Sequence, residues 1–480
     1  LSFTKKITPS AVPKGVKASI VFVFASVCSQ GMAIVSLPIF TRLLTTEQMG
    51  IVTTYNTWLN LIGIITTLGL TSGSFNIAMM KFEDSRAQYT SSALALSLAP
   101  SAILVLLSIP FGELFSEWLD ISVPLVRCMC VMLLLNPALN LWLMRQRYEY
   151  RYVAVFLVTV LNSVAGTLVA IVMVVWASSS DVVQLTEVRI LSSSCVTGLI
   201  AVVIGSGIFV SGRTLFNKRF WQFALKTGTP LVIHSVAKYV LDASDRILIG
   251  IFVGSAAVGI YGVLYSLSSI SLVFWSAINS ALIPFIFESL KRGEEDNVRS
   301  VAVPLLTAYA VVCLVLMLLA PEIVYLLTTK SYVEAVYLVP PIASGIFFTS
   351  LYNLYSNLIL YKERTSYVMW ATVVAATVNI LLNVLSLPVF GYIAAAYATL
   401  ISCCLLAFLQ FLFSKKLEIS NALNNRFNLL LSFGVVFAGI VVNIFYGCLP
   451  LLRYIVTAFI VIVCFAFRKK LMNVYRKTKA

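Results

Sequence analysis

Charge is what this chain has least of. Asp, Glu, Lys and Arg together make up 11% of its 480 residues, against about 25% in ordinary soluble domains, too little to solvate a protein's whole surface. Histidine occurs once, at His234. One His and no CxxC cannot make a Cys/His metal set, so no metal site is expected. The nine cysteines are scattered, mostly inside apolar runs, and read as small packing residues that do not report the redox compartment. HExxH, GxSxG and dinucleotide fingerprints are missing as well. The stretch Gly207-Ile-Phe-Val-Ser-Gly212-Arg213-Thr214 imitates a P-loop but lacks its Lys and ends an apolar run. The sequence therefore gives no sign of chemical catalysis or of a nucleotide motor. Any movement it supports draws on a gradient or on the cargo's own imbalance across a membrane.

What is present is apolar. Hydrophobic residues are 60% of the chain and mean hydropathy is +0.96. Runs long enough to cross a bilayer core of about 30 Å lie near 17–40, 50–71, 88–110, 122–144, 152–176, 188–210, 222–242, 247–274, 298–320, 332–360, 367–387, 391–413, 428–447 and 450–467. Continuous rather than alternating hydrophobicity makes them helices, not barrel strands. The fold class is all-α integral membrane with about fourteen spans. The first run has no small-residue cleavage site and is too long for a signal-peptide core, so it reads as a retained span. If the gaps alternate inside and outside, 27 of the 34 Lys and Arg fall inside. Only Arg42, Arg189, Arg246, Lys330 and Arg453 lie outside, with Arg127 and Lys238 within spans. Basic loops resist translocation, which puts both termini in the cytoplasm. The net charge of +15 then meets anionic lipid headgroups, not nucleic acid; the tail from Arg468 to Lys479 belongs to that basic set.

The chain repeats itself. Arg145-Gln-Arg147-Tyr-Glu-Tyr150, followed by Asn162, recurs as Lys362-Glu-Arg364-Thr-Ser-Tyr367, followed by Asn379, at an offset of 217 residues. Arg42-Leu-Leu before Gly50-Ile51 matches Arg246-Ile-Leu before Gly259-Ile260 at a similar offset, on the same side of the membrane. A parallel repeat follows, with an N-lobe over 1–213, a C-lobe over 214–419, and two appended helices and a basic tail over 420–480.

The seventh run carries the densest charge. Spacings of four put His234, Lys238, Asp242 and Arg246 on one helix face, with Asp245 one turn beyond Asp242. A Lys at the bilayer centre costs at least about 2.5–3.5 kcal/mol, so such groups face a protein interior or a water-filled cavity. A self-neutralising Lys238–Asp242 pair snorkelling outward is the alternative. Arg127 lies near an outer helix end and is either a snorkelling residue or a cavity cation. Arg145, Arg147, Lys362 and Arg364 either meet a phosphate at the cytoplasmic mouth or only set orientation. Asn162 and Asn379 read as hydrogen-bonding links between helices.

Two stretches resemble a known family. Leu37-Pro-Ile-Phe-Thr41-Arg42-Leu-Leu-Thr-Thr-Glu47-Gln-Met-Gly50 resembles the opening of Wzx-type polysaccharide flippases, of the multidrug/oligosaccharidyl-lipid/polysaccharide exporter superfamily. So does Pro230-Leu-Val-Ile-His234 with Asp245-Arg246-Ile-Leu-Ile-Gly250 and Val258-Gly-Ile-Tyr261-Gly. The resemblance covers residues from about 15 to 415 and implies two helical lobes in a bacterial inner membrane. It implies translocation of an undecaprenyl-diphosphate-linked oligosaccharide, for O-antigen or capsule-type polysaccharide. A cationic cavity for the diphosphate would draw on Arg42, Lys238, Arg246 and Arg127, with His234, Asp242 and Asp245 as polar or ion-coupling groups. It implies no cofactor beyond a proton or sodium gradient, and partners among the pathway's polymerase and chain-length-control proteins. Two alternatives remain open: a cation-coupled multidrug antiporter of the same superfamily, and a membrane O-antigen polymerase or glycosyltransferase. The antiporter wants an acidic cavity. The polymerase wants a sizeable outer loop, and no gap here is long enough.

Overall fold

In a computed structural model of the chain, residues 14–180, 184–448, 451–460 and 462 are described, and among them the regular structure is helical, with no strand. The first half contains α1 (Lys14–Leu43), α2 (Thr46–Thr66), α3 (Ser74–Lys81), α4 (Arg86–Leu107), α5 (Gly112–Leu119), α6 (Val123–Tyr148), α7 (Tyr152–Ser179) and α8 (Leu185–Gly212). The second contains α9 (Lys218–Phe252), α10 (Ser255–Lys291), α11 (Glu295–Leu318), α12 (Ala320–Leu327), α13 (Lys330–Val333), α14 (Val339–Tyr361), α15 (Thr365–Phe390) and α16 (Ile393–Lys416), and α17 (Asn425–Cys448) follows. Helix starts are written locally. Thr45 and Gln48 form a reciprocal capping box at α2, and the Asn217 side chain accepts from the N–H groups of Arg219 and Phe220 at α9.

Among the described residues ten helices are long and apolar enough to cross a membrane. The sequence also reads α2, α9 and α14 as spans; they have the length but carry the polar side chains that build the site. Of the last expected run, 450–467, the described part is the helix Leu451–Ile460, and the basic tail lies outside the described residues.

The helices α1, α2, α4, α6, α7 and α8 pack among themselves, as do α9, α10, α11, α14, α15 and α16, and α17 leans on α14 and α11. The repeat is visible in the backbone. Each half places a short helix, α5 or α12, between its third and fourth long helices. The turns entering α7 and α15 are the same Schellman-type cap. Arg151 N–H bonds to Gln146 O and Tyr150 N–H to Arg147 O in one; Arg364 N–H bonds to Ile359 O and Glu363 N–H to Leu360 O in the other. Tyr150 and Glu363 take the left-handed conformation there, at φ 55° and 58°. This corrects the offset from 217 to 213 residues, counted from the helix starts at Tyr152 and Thr365. Asn379 then corresponds to Gly166, one turn beyond Asn162.

Two boundaries also differ from the sequence reading. The turn between the seventh and eighth runs is at Val253–Gly254, not 242–247. Asp245 and Arg246 therefore sit inside α9, because tyrosines of α10 satisfy their charge. In the other half, α2 ends at Thr66 and the chain breaks through Leu68, Gly69 and Gly73, with φ values of 52°, 74° and 113°, before α3. Its counterpart α10 runs unbroken for 37 residues.

Candidate substrate path and charged cluster

Small polar side chains at helical spacing hollow out the first half. On α2, Asn56, Asn60, Gly63 and Thr67 share one face; on α6, Asn136 and Asn140 do. These faces line the second and third of three consecutive cavities. The widest, about 1070 Å³, is bordered by Arg86, Arg147, Arg151, Glu83 and Glu149. It shares Thr71 with a constriction of about 160 Å³ containing Asn60, Thr67, Asn136 and Asn140. That in turn shares Leu59 and Asn136 with an inner cavity of about 370 Å³, lined by Asn56, Asn162, Ser163, Thr167, Ser193, Thr197 and Arg189. The path thus begins at a face rich in arginine and ends at a single arginine near the opposite face. At its mouth Glu83 pairs with Arg86 at 3.0 Å. Glu149 pairs with Arg145 at 2.7 Å and with Arg151 at 3.2 Å. Arg147 has no ion pair among the described residues.

The second half holds the charged cluster. Asp245, 1% exposed, accepts from the hydroxyls of Tyr261 and, at 3.4 Å, Thr399. Ser244 donates to Asn379 Oδ1 at 2.9 Å, Asn379 reaches Thr399 at 3.4 Å, and Asn383 donates to Asn379 O at 3.0 Å. Arg246 lies over the Tyr265 ring, 4.2 Å from its centroid. Lys238 contacts Asp242 at 3.0 Å and the Tyr352 hydroxyl at 3.2 Å, yet 47% of its side chain is accessible. His234, part-buried one turn from Lys238, has an Nδ1 with no hydrogen-bond partner. The two halves meet between these sites: Tyr239 of α9 donates to Thr57 O of α2 at 3.2 Å.

Several expected cavity residues lie elsewhere. Arg42 is exposed at the opposite face, where it donates to Leu326 O at the C-terminal end of α12 at 3.3 Å, beside Thr41 donating to Leu327 O at 3.2 Å. That is a clip between halves, because helix C-terminal carbonyls attract a cation. Arg127 is exposed at the end of α6 beside Gly112 of α5 and borders none of the three cavities. Lys362 and Arg364 are exposed in their turn and do not border the mouth. The two asparagines separate: Asn379 is a buried link between helices, whereas Asn162 faces the inner cavity with a buried, unpartnered Oδ1. The sequence reading missed Arg189 and the asparagine faces. The signal was there, in Asn pairs spaced by four within apolar runs.

Glycines set how the halves close. A Cβ on Gly50 would lie 1.8 Å from Ser255 O, and one on Gly259 2.0 Å from Thr46 O. These repeat-related glycines touch near the opposite face, so α2 and α10 cross there backbone to backbone. At the arginine-rich face a Cβ on Gly69 would lie 2.3 Å from Gly228 O. Beside it Phe220 and Phe223 of α9 pack edge-on against Phe82 of the first half.

Long helices in two related sets, with polar cavities inside, match known proteins. A family model described as polysaccharide biosynthesis protein matches residues 16–290, more than half of the chain. The chain belongs to this family. A second model, MatE, matches residues 230–385. A relative in Haloferax volcanii, the "Probable low-salt glycan biosynthesis flippase Agl15", is 22% identical over 396 residues, 80% of each chain. Among solved structures the fold is similar to a lipid II flippase MurJ in an inward closed conformation, at TM-score 0.67 and 14% identity over 94% of this chain and 100% of that one. It is also similar to an inward-facing multidrug resistance MATE family transporter of the MOP superfamily, at TM-score 0.61 and 15% identity over 84% and 98%. The fold is thus shared with a transporter of the superfamily that the motifs at Arg42 and Asp245 suggested.

Proposed function

We propose that this protein is a flippase that carries an undecaprenyl-diphosphate-linked oligosaccharide from the cytoplasmic to the periplasmic leaflet of the bacterial inner membrane. It works by alternating access and serves O-antigen or capsule-type assembly. The observation that carries the reading is the amide- and hydroxyl-lined path of the first half, with Arg86, Arg147 and Arg151 at its mouth. Hydroxyls and amides match sugar hydroxyls donor for acceptor, and arginine forks match phosphate. In this reading the arginine-rich face is cytoplasmic. The glycine crossing of α2 and α10 is the periplasmic closure. Lys238 offers a cation to the diphosphate from a wet surface. Asp245, with the hydroxyls of Tyr261 and Thr399 and the amide of Asn379, is the ion-coupling group, since its protonation or occupation by a cation changes how α9, α10, α15 and α16 hold together.

The antiporter reading draws on the MatE match. Against it, the only carboxylates bordering the three cavities are Glu83 and Glu149 at the mouth, both ion-paired. Depleting the protein and analysing lipid-linked intermediates by leaflet decides the matter. Accumulation on the cytoplasmic side is expected. Unpolymerised periplasmic units, or altered drug tolerance alone, would overturn the flippase reading. Within it, Lys238→Ala should cut export about tenfold while abundance stays near normal, and Asp242→Asn should be tolerated. Equal loss of protein in both would make the pair a packing feature.

A further inference from the structure

The appended end of the chain reaches back into the fold through a buried arginine that the substrate path does not use. Arg453, in the helix Leu451–Ile460, is 4% exposed. Its guanidinium donates to Leu318 O at the end of α11, at 3.1 Å, and to the Glu322 carboxylate in the first turn of α12. Tyr454 donates to the same carboxylate oxygen at 2.6 Å, and Tyr446 of α17 donates to Met317 O. The appended helices therefore grip the corner at which α11 turns into α12. A buried guanidinium is costly unless its partners stay in place, so the corner is held firmly.

Helix α12 depends on that grip for its direction. It has eight residues, is about 12 Å long and is too short to be stable by itself. Val324 is buried, but Tyr325 and Leu326 stand exposed on its other side, and the chain leaves it in extended backbone at Thr328. Its far end is what the first half holds: Arg42 donates to Leu326 O and Thr41 to Leu327 O. One short rod is thus held in its first turn by the appended helices and in its last by α1. Its counterpart α5 in the first half makes no ion pair among the described residues.

We propose that Arg453 and Glu322 are positioning residues for closure of this face: the appended helices aim α12 so that its C-terminal carbonyls receive Thr41 and Arg42 and hold the two halves together there. The inference rests on the alternating-access reading above and deepens it. Opening the face must break the bonds of Thr41 and Arg42, which cross between the halves. It need not break the bonds of Arg453, which lie on the second-half side. The grip acts through orientation instead. An α12 released at its first turn has to be aimed again whenever the face shuts, and that ordering cost falls on the shut state alone.

The test is a spin-label distance across that face in the full-length protein in lipid nanodiscs, between labels at Glu117 of α5 and Phe390 at the end of α15. Both positions are exposed, and neither lies on α12 or the appended helices. The wild type should favour the short distance. Arg453→Gln should move the ratio of short to long distances about tenfold toward the long one, and Tyr454→Phe should move it less in the same direction. Glu322→Gln alters a side chain that is 37% accessible and leaves Arg453 bonded to Leu318 O, so it carries the test if Arg453→Gln fails to fold. Arg42→Gln, which weakens the clip directly, should also lengthen the distance, and adding Arg453→Gln to it should add little, because both act through one contact. A lower melting temperature with an unchanged distance in Arg453→Gln and Glu322→Gln would make the pair a structural brace and overturn the inference. Additive shifts in the double variant would overturn it too. If Arg42→Gln also leaves the distance unchanged, the alternating-access reading falls along with the inference, an outcome distinct from failure of the Arg453 and Glu322 variants alone.

Discussion

Asp245 and Lys238, seven residues apart on α9, carry charge in opposite circumstances. Asp245 is buried, and its carboxylate is met by Tyr261, Thr399 and the Arg246 backbone N–H. Removing it strands the buried Tyr261 hydroxyl that donates to it, so Asp245→Ala should cost about 1–3 kcal/mol. The cost would be read as a lower melting temperature in detergent and reduced abundance. Asp245→Asn keeps an acceptor for both hydroxyls but cannot change charge. It should fold, and transport measured in proteoliposomes should lose its dependence on the coupling ion; a retained dependence would remove Asp245 from that role. The Lys238–Asp242 pair is about half exposed on both sides, and a screened pair contributes no more than about 1 kcal/mol. Its loss should register in transport rather than in stability.

At the scale of elements, two glycine crossings, one on α2 and one in the break that follows it, belong to opposite faces of the molecule. Gly50 lets α10 approach at one end. Gly69, held at φ 74°, lets α9 approach at the other. A methyl group on Gly50 displaces backbone rather than a flexible side chain, a cost of about 1–3 kcal/mol confined to the state in which that face is shut. Gly50→Ala should therefore open that face. Gly69→Ala adds about 1–2 kcal/mol of left-handed strain to its own contact and should open the arginine-rich face instead. Spin-label distances across each face check both predictions, because the two substitutions must shift the distributions in opposite senses. The break in α2 and its absence from α10 give the repeat a built-in asymmetry. Helix α9 adds to it: its first turns pack on α3 and α4 of the first half, its later turns on α15 of the second, with Pro230 between them.

For the whole molecule, orientation is the expectation with the most direct check. Reporters inserted at Tyr150, within 213–217, at Gly293 and at Glu418 should all report cytoplasm, since those turns flank the basic residues. A periplasmic signal from any one would reverse the sense of transport inferred from the path.

The sequence by itself determined that the chain is helical, lies in a membrane and consists of two related halves. Those properties are local: an apolar run must satisfy its own backbone hydrogen bonds, and only a helix does so within one segment. The family was legible for the same reason, since its motifs at Arg42–Gly50 and Asp245–Gly250 are contiguous stretches. Where side chains meet was not legible. Asp245 and Arg246 read as a loop because their charge looked like a span end, whereas Tyr261 and Tyr265 of α10 absorb it within the helix. Arg42 read as a cavity cation and Arg127 as either that or a snorkelling residue, and helix ends carry both to the rim. Arg189 drew no attention as one of five outside charges, and Asn162 passed as a link between helices. Only the packing of α1, α2, α6, α7 and α8 around a shared hollow decided that both face the same space. A cavity is made by residues far apart in the chain, and the spacing along any one helix leaves its neighbours undetermined.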